Sequence, residues 1–251
     1  VHRLLAGSEG TLAVLTEATV RLVSEPAHRI LVVLGYPDIA AAGDATPQVL
    51  TYGPVACEGI DSRIVDVVRE RRGPGAVPPL PRGAAWLFVE LTGDDPAELS
   101  SRGAALGNGC GAVDSMVVTD TGRAGALWRI RADGAGLSGR SPAGRPAHAG
   151  WEDAAVPPDR MGDYLRDFDA LMTDYGLTGL PYGHFGDGCL HIRMVPLRKS
   201  SVRCFDLLRG RDRLYSKDAI VVFFNKFGVN WVWVRVEGSE SVGIGLGEGP
   251  G

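Results

Sequence analysis

A chain of 251 residues is long enough to bury a sizeable core, as one large domain or two small ones. Hydrophobic residues at 45% and charged residues at 22% are ordinary for a soluble globular protein. A net charge of -4 with dispersed Lys and Arg gives no basic surface, so no nucleic-acid partner is expected. The four cysteines, Cys57, Cys110, Cys189 and Cys204, lack C-x-x-C spacing, so neither a disulfide framework nor an iron-sulfur or structural zinc site is signalled. Reduced thiols in a cytoplasmic protein are the expectation. No leading apolar segment resembles a signal peptide. The longest apolar run, near residues 219–234, is interrupted by Lys226 and too short to span a bilayer, so no transmembrane segment is expected.

Residues 12–23 are rich in Val, Leu and Thr and favour a strand, which Pro26 ends. Arg29 to Leu34 is a second short strand, followed by an Ala-rich helix despite Gly43 and Pro47. Over residues 60–72, Ile60, Ile64, Val67 and Val68 recur at helical spacing, and the closing Arg cluster suits a helix C-terminus. Gly73 to Gly83 is a Pro/Gly loop. Ala84 to Thr92 reads as a strand, Asp95 to Leu106 as a helix with an acidic first turn, and Ala112 to Thr119 as another strand. This strand-helix-strand succession, twice over, predicts an α+β fold: a ferredoxin-like antiparallel sheet with helices on one face. Thr121 to Leu137 reads as a helix carrying Trp128, and 138–150 as a loop. Glu152 to Val156 is a short strand. Pro158 to Tyr175 is a helix with Met161, Tyr164, Leu165, Phe168 and Leu171 on one side.

Tyr182 to Val195 is a hairpin or bent strand, and it contains Gly183-His184-Phe185-Gly186-Asp187-Gly188-Cys189-Leu190-His191. Two imidazoles flanking a Gly-rich turn can converge on one point, which suits a metal or a catalytic proton. A tight turn with two incidental His reads about as well from these residues alone. The stretch resembles the G-H-x-G-D-G-N-x-H motif of the FAD-linked oxidase C-terminal family, with Cys189 where many members carry Asn. Residues 4–22 resemble the closing strands of the PCMH-type FAD-binding domain that precedes this domain in the family. Trp128-Arg129-Ile130-Arg131 is similar to its L-W-x-x-R-E element, and Trp151-Glu152-Asp153-Ala154-Ala155-Val156-Pro157 to its E-D-x-x-V-P strand. Four ordered matches are together far more specific than any one. Tyr215 to Asn225 resembles the family's M-Y-S-x-x-A-I-x-x-F helix, whereas the Trp/Val/Gly-rich tail beyond it does not fit.

The resemblance implies three parts: residues 1–24 as the end of an FAD-binding domain, 25–228 as the substrate domain, and 229–251 as an atypical tail. The chain starts with Val inside a motif and reads as a fragment. Gly7, Ser8, Glu9, Gly10 and Thr11 offer backbone N–H groups at a turn, able to approach a pyrophosphate or flavin ring closely. The family uses this segment to help hold FAD. Arg131 follows Trp128 by three on one helix face, and in relatives the matching Arg binds the substrate carboxylate. Ala132 stands where the family has Glu, so the usual partner of that Arg is expected to be lost.

His184 and His191 match the metal-binding His of relatives that carry a divalent ion, zinc, manganese or iron. Arg131 and His191 are the expected catalytic residues. The family's third metal ligand and its base belong to an S-G-E-H-G-D-G motif that is absent here. Asp187, Asp206 and Asp212 are the weaker substitutes, with Asp187 expected to satisfy backbone N–H groups in its turn. The implied protein is an FAD-dependent oxidoreductase that oxidises a D-2-hydroxy acid of the D-lactate, glycolate or D-2-hydroxyglutarate type. It passes electrons to an acceptor or an iron-sulfur module and is cytoplasmic or peripheral to the membrane. Two rivals are a truncated or degenerate product without activity and a metal-binding module without flavin chemistry.

Overall fold

The computed structural model describes residues 2–8, 10–22, 24–196, 221–222, 231–234 and 242–245. Its main sheet has seven strands: β1 (His28–Tyr36), β2 (Ala56–Asp61), β3 (Ala85–Gly93), β4 (Asp114–Val118), β5 (His148–Ala155), β6 (Leu177–Gly183) and β7 (Cys189–Pro196). The spatial order is β4-β1-β3-β2-β6-β7-β5, and every pairing is antiparallel. Six helices accompany it: α1 (His2–Gly7), α2 (Ile39–Leu50), α3 (Ser62–Arg72), α4 (Pro96–Gly109), α5 (Thr121–Leu137) and α6 (Met161–Asp174). The first four strands, with α2 and α4, form the expected ferredoxin-like unit in the order β4-β1-β3-β2. The next three strands extend the same sheet beyond β2.

Acidic residues start four of the helices. Asp38, Asp61, Asp95 and Asp120 each accept a backbone N–H from the first turn of α2, α3, α4 and α5, which satisfies donors the helix cannot pair internally. Helices were expected on one face of the sheet, and here the structure differs. Ile30, Val32 and Leu34 of β1 pack with residues of α2, α4 and α6, whereas Leu31 and Val33 pack on the other face with Ile64, Val67 and Val68 of α3 and Leu127 and Ile130 of α5. The reason lies in the strand composition. Continuous apolar runs such as Ile30–Leu34 leave both faces to be covered, and a half-solvated sheet would alternate instead.

Three further expectations change. Residues 12–22, expected as a strand, have no ladder partner among the described residues, and Leu12, Val14, Leu15, Val20 and Leu22 are 60–88% exposed. Strand propensity makes no strand without a neighbour to complete its hydrogen bonds. The helix expected from Ile60 starts at Ser62, and β2 precedes it, with Ile60 belonging to the strand. At β8 (Val221–Val222), inside the helix expected over 215–225, two β-branched residues instead pair with β9 (Trp231–Val234), which also pairs with β10 (Val242–Gly245). The rest of that segment, with Cys204, Asp206 and Asp212, lies outside the described residues, as does most of the tail. Among the described residues, no helix is long and apolar enough to cross a membrane.

Candidate active site

Strand register brings the chemistry together. Ile60 of β2 lies opposite Tyr182 of β6, and Tyr182 lies opposite His191 of β7. Side chains alternate along a strand, so Glu58 shares the face of Ile60, the face covered by α3 and α5. Gly59 pairs with Gly183, which carries Glu58 to the position beside His184, just past the end of β6.

The His-containing turn is closed by its own backbone. The His184 carbonyl accepts from the N–H groups of Asp187 and Cys189, and the Phe185 carbonyl accepts from Gly188. Gly188 occupies a left-handed conformation at φ 68°, which favours glycine, and an added Cβ there would lie 2.4 Å from the Val156 carbonyl oxygen. The turn is pinned from below by Phe185, which is fully buried in the core on the opposite face of the sheet. Asp187, expected to tie the turn's backbone together, is exposed, and the main-chain bonds perform that task.

At this point Arg131, His184 and His191 come together. The imidazoles of His184 and His191 are 5.6 Å apart, nearly perpendicular at 81°. Tyr182 lies 5.2 Å from the His191 ring, and the Arg131 guanidinium sits 5.0 Å from the centre of the Tyr182 ring, a cation–π arrangement. The residue that joins them was not foreseen. Glu58 accepts a hydrogen bond from Arg131 Nε at 2.8 Å through Oε2, and its Oε1 lies 2.5 Å from His184 Nδ1. The Glu58 and Arg131 side chains are 10% and 15% exposed, so the ion pair is largely shielded, while His184 is 45% exposed and reaches toward solvent. Arg131 therefore has a carboxylate partner despite Ala132, contributed by a distant strand in place of its own helix. Trp128, one turn earlier on α5, packs edge-on to Phe88 and anchors that helix to the sheet.

Cys189 Sγ is 4.0 Å from His191 Nε2 and partly exposed. Cys57, next to Glu58 but on the opposite face, is a different case: burial, followed by the nearby carboxylates of Glu58 and Asp187, pushes its thiol up to about 12. It is a core residue with no chemistry at neutral pH.

A catalytic zinc-type site uses three protein ligands, whereas the cluster offers two imidazoles. Among the described residues, no group of three or more His, Cys, Asp or Glu is arranged to hold a metal ion. The Gly7–Thr11 segment follows directly on α1, with Gly7 as its last residue. Its recorded hydrogen bonds are local, with Ser8 Oγ donating to the Leu5 carbonyl and Thr11 Oγ1 to that of Ser8, and an added Cβ at Gly7 or Gly10 would meet nothing within 4 Å. The space beside Gly7 and Gly10 is open, but the Ser8 and Thr11 N–H groups already donate to the Leu5 and Ser8 carbonyls, so fewer backbone donors face outward than the sequence suggests. Glu9 lies outside the described residues.

The family profile described as FAD linked oxidases, C-terminal domain, matches residues 25–201. The chain belongs to this family. Similar proteins include a D-2-hydroxyglutarate dehydrogenase of Escherichia coli K12, 29% identical over 211 residues, which cover 76% of this chain and 20% of that protein. A D-lactate dehydrogenase of Archaeoglobus fulgidus is 31% identical over 189 residues, 75% of this chain and 40% of that protein. The glycolate oxidase subunit GlcD of Bacillus subtilis is 29% identical over 196 residues, 75% of this chain and 40% of that protein. This FAD-linked oxidase domain therefore spans between 20% and 40% of the length of these relatives.

Proposed function

We propose that this chain is the substrate-side part of a flavoprotein that oxidises a D-2-hydroxy acid of the D-lactate, glycolate or D-2-hydroxyglutarate type. The observation that carries the proposal is the convergence of Arg131, His184 and His191 on one face of the sheet, with the guanidinium held in place by Glu58 and Tyr182. Residues 1–24 are assigned to the end of the flavin-binding domain and 25–228 to the substrate domain; the start of the family match at residue 25 supports the first boundary.

Glu58 takes the Nε of Arg131, which leaves the other guanidinium N–H groups for a substrate carboxylate. A two-point, charge-assisted contact of this kind contributes about 1.5–3 kcal/mol. It fixes the 2-hydroxy acid by the end that does not react and thereby orients its Cα–H. FAD, when bound, is the hydride acceptor, and Gly7, Ser8, Glu9, Gly10 and Thr11 are assigned to one wall of its site. The imidazoles of His184 and His191, grouped with Arg131, are placed to receive the proton of the substrate hydroxyl. The same two nitrogen donors are those to which zinc, manganese or iron would bind, together with a third ligand from elsewhere. Electrons leave for an external acceptor, and the Pro181 to Cys189 form of the motif resembles that of larger family members fused to an iron-sulfur module. A cytoplasmic protein, free or at the membrane surface, is the setting proposed.

The test is Arg131→Lys in the protein restored to full length. An ammonium cannot reproduce a planar two-point contact, so kcat/KM for 2-hydroxy acids should fall by roughly 10-fold or more, with flavin content unchanged. Parental kcat/KM for every 2-hydroxy acid tested would remove Arg131 as the carboxylate clamp.

A further inference from the structure

We infer that Glu58 is a positioning residue, which sets the tautomer of His184 while it orients Arg131. The inference rests on the 2-hydroxy-acid reading only for its consequence, because its geometry stands without substrate or flavin.

Glu58 divides its two oxygens between two partners: Oε2 accepts from Arg131 Nε and Oε1 faces His184 Nδ1. The guanidinium does not lose its proton in proteins, so the carboxylate beside it is an acceptor on both oxygens. An acceptor at Nδ1 requires a hydrogen on Nδ1. A neutral imidazole carries one N–H, so Nε2 of His184 is left with its lone pair. Free imidazole side chains favour the other tautomer, with hydrogen on Nε2. Glu58 thus converts Nε2 of a partly exposed ring from a hydrogen-bond donor into an electron-pair donor. That atom can take an electrophile, either the proton of a substrate hydroxyl or a divalent cation.

Position supports the assignment. Glu58 lies on a central strand, its side chain 10% exposed, whereas the His184 side chain is 45% exposed, so the fixed partner is the carboxylate and the oriented one is the imidazole. The backbone reinforces the constraint, because the His184 carbonyl is bound by two N–H groups of the turn and Phe185 anchors the following residue in the core. Arg131 and His184 are then coupled through one group. Any change that moves Glu58 disturbs both the carboxylate clamp and the nucleophilic nitrogen.

The experiment is nitrogen-detected NMR of the full 251-residue chain with 15N-labelled His, free of metal, at mildly alkaline pH where an ordinary His is neutral. The chain has five His, and His184→Ala assigns the signal of interest. Protonated Nδ1 and unprotonated Nε2 are expected at His184 in the parent chain, with reversal to protonated Nε2 in Glu58→Gln. Protonated Nε2 in the parent overturns the inference without any variant, so it stays testable even if Glu58→Gln does not fold. A folded Glu58→Gln that keeps Nδ1–H also overturns it. Failure of Arg131→Lys to impair oxidation would leave this result untouched, so the two readings fail separately.

Discussion

Gly59→Ala probes the contact that holds the His turn against the sheet. A Cβ built on Gly59 would lie 2.5 Å from both Cε1 and Cζ of Phe185 and 2.6 Å from Cδ1. Carbon atoms pack at about 3.5–4.0 Å, so the ring must retreat by about 1 Å. Phe185 is fully buried among core side chains, and interiors packed at crystal density give little room for that retreat. Overpacking of this kind costs about 1–3 kcal/mol. Phe185→Ala removes the ring and should cost about 3–5 kcal/mol as a cavity. If the two residues were independent, the double variant would lose about 4–8 kcal/mol, the sum of those ranges. The geometry instead predicts a loss of about 3–5 kcal/mol, since the new methyl enters space that the ring has vacated. Denaturant unfolding, followed by the fluorescence of Trp86 and Trp128, measures all three variants against the parent. Additivity within about 0.5 kcal/mol would refute the contact, and with it the account of how His184 is kept in register.

Gly188→Ala should destabilise the same hairpin by a different route, because the residue has φ 68° and its Cβ would meet the Val156 carbonyl oxygen at 2.4 Å. A loss of about 1–3 kcal/mol from backbone strain is expected in the same unfolding assay, and parental stability would contradict it. The Cys57 thiol lies at about 12 in the folded chain against an ordinary 9.0, so its contribution to stability is complete below about pH 9 and is lost as pH rises toward 12. Tyr36 and Cys110 are raised in the same direction, chiefly by burial, so Cys57→Ala should flatten part of the alkaline fall in the denaturation midpoint; an equally steep fall would exclude Cys57 as a source.

Local chemistry determined much of this molecule from its sequence. The strand-forming residues of β1, the acidic start of α4 and the Gly-rich turn each act over a few neighbouring positions and are legible without a fold, whereas the second helical layer required by the two-faced apolar run of β1 emerged only with the tertiary structure. Helix α5 falls at Thr121–Leu137 as its sequence predicts, and the two imidazoles of the turn converge because only a tight hairpin separates them. Ile60 was misplaced because apolar residues four apart fit a helix as well as the end of a strand followed by one. That overlap concealed β2 and Glu58 with it. Nothing local marks Glu58, which lies 73 positions from Arg131 and 126 from His184. Only the pairing of β2 with β6, at the register Gly59 to Gly183, brings the carboxylate to both. The same limit explains residues 12–22: their composition sets a strand propensity, but a ladder needs a partner, and tertiary structure decides whether there is one.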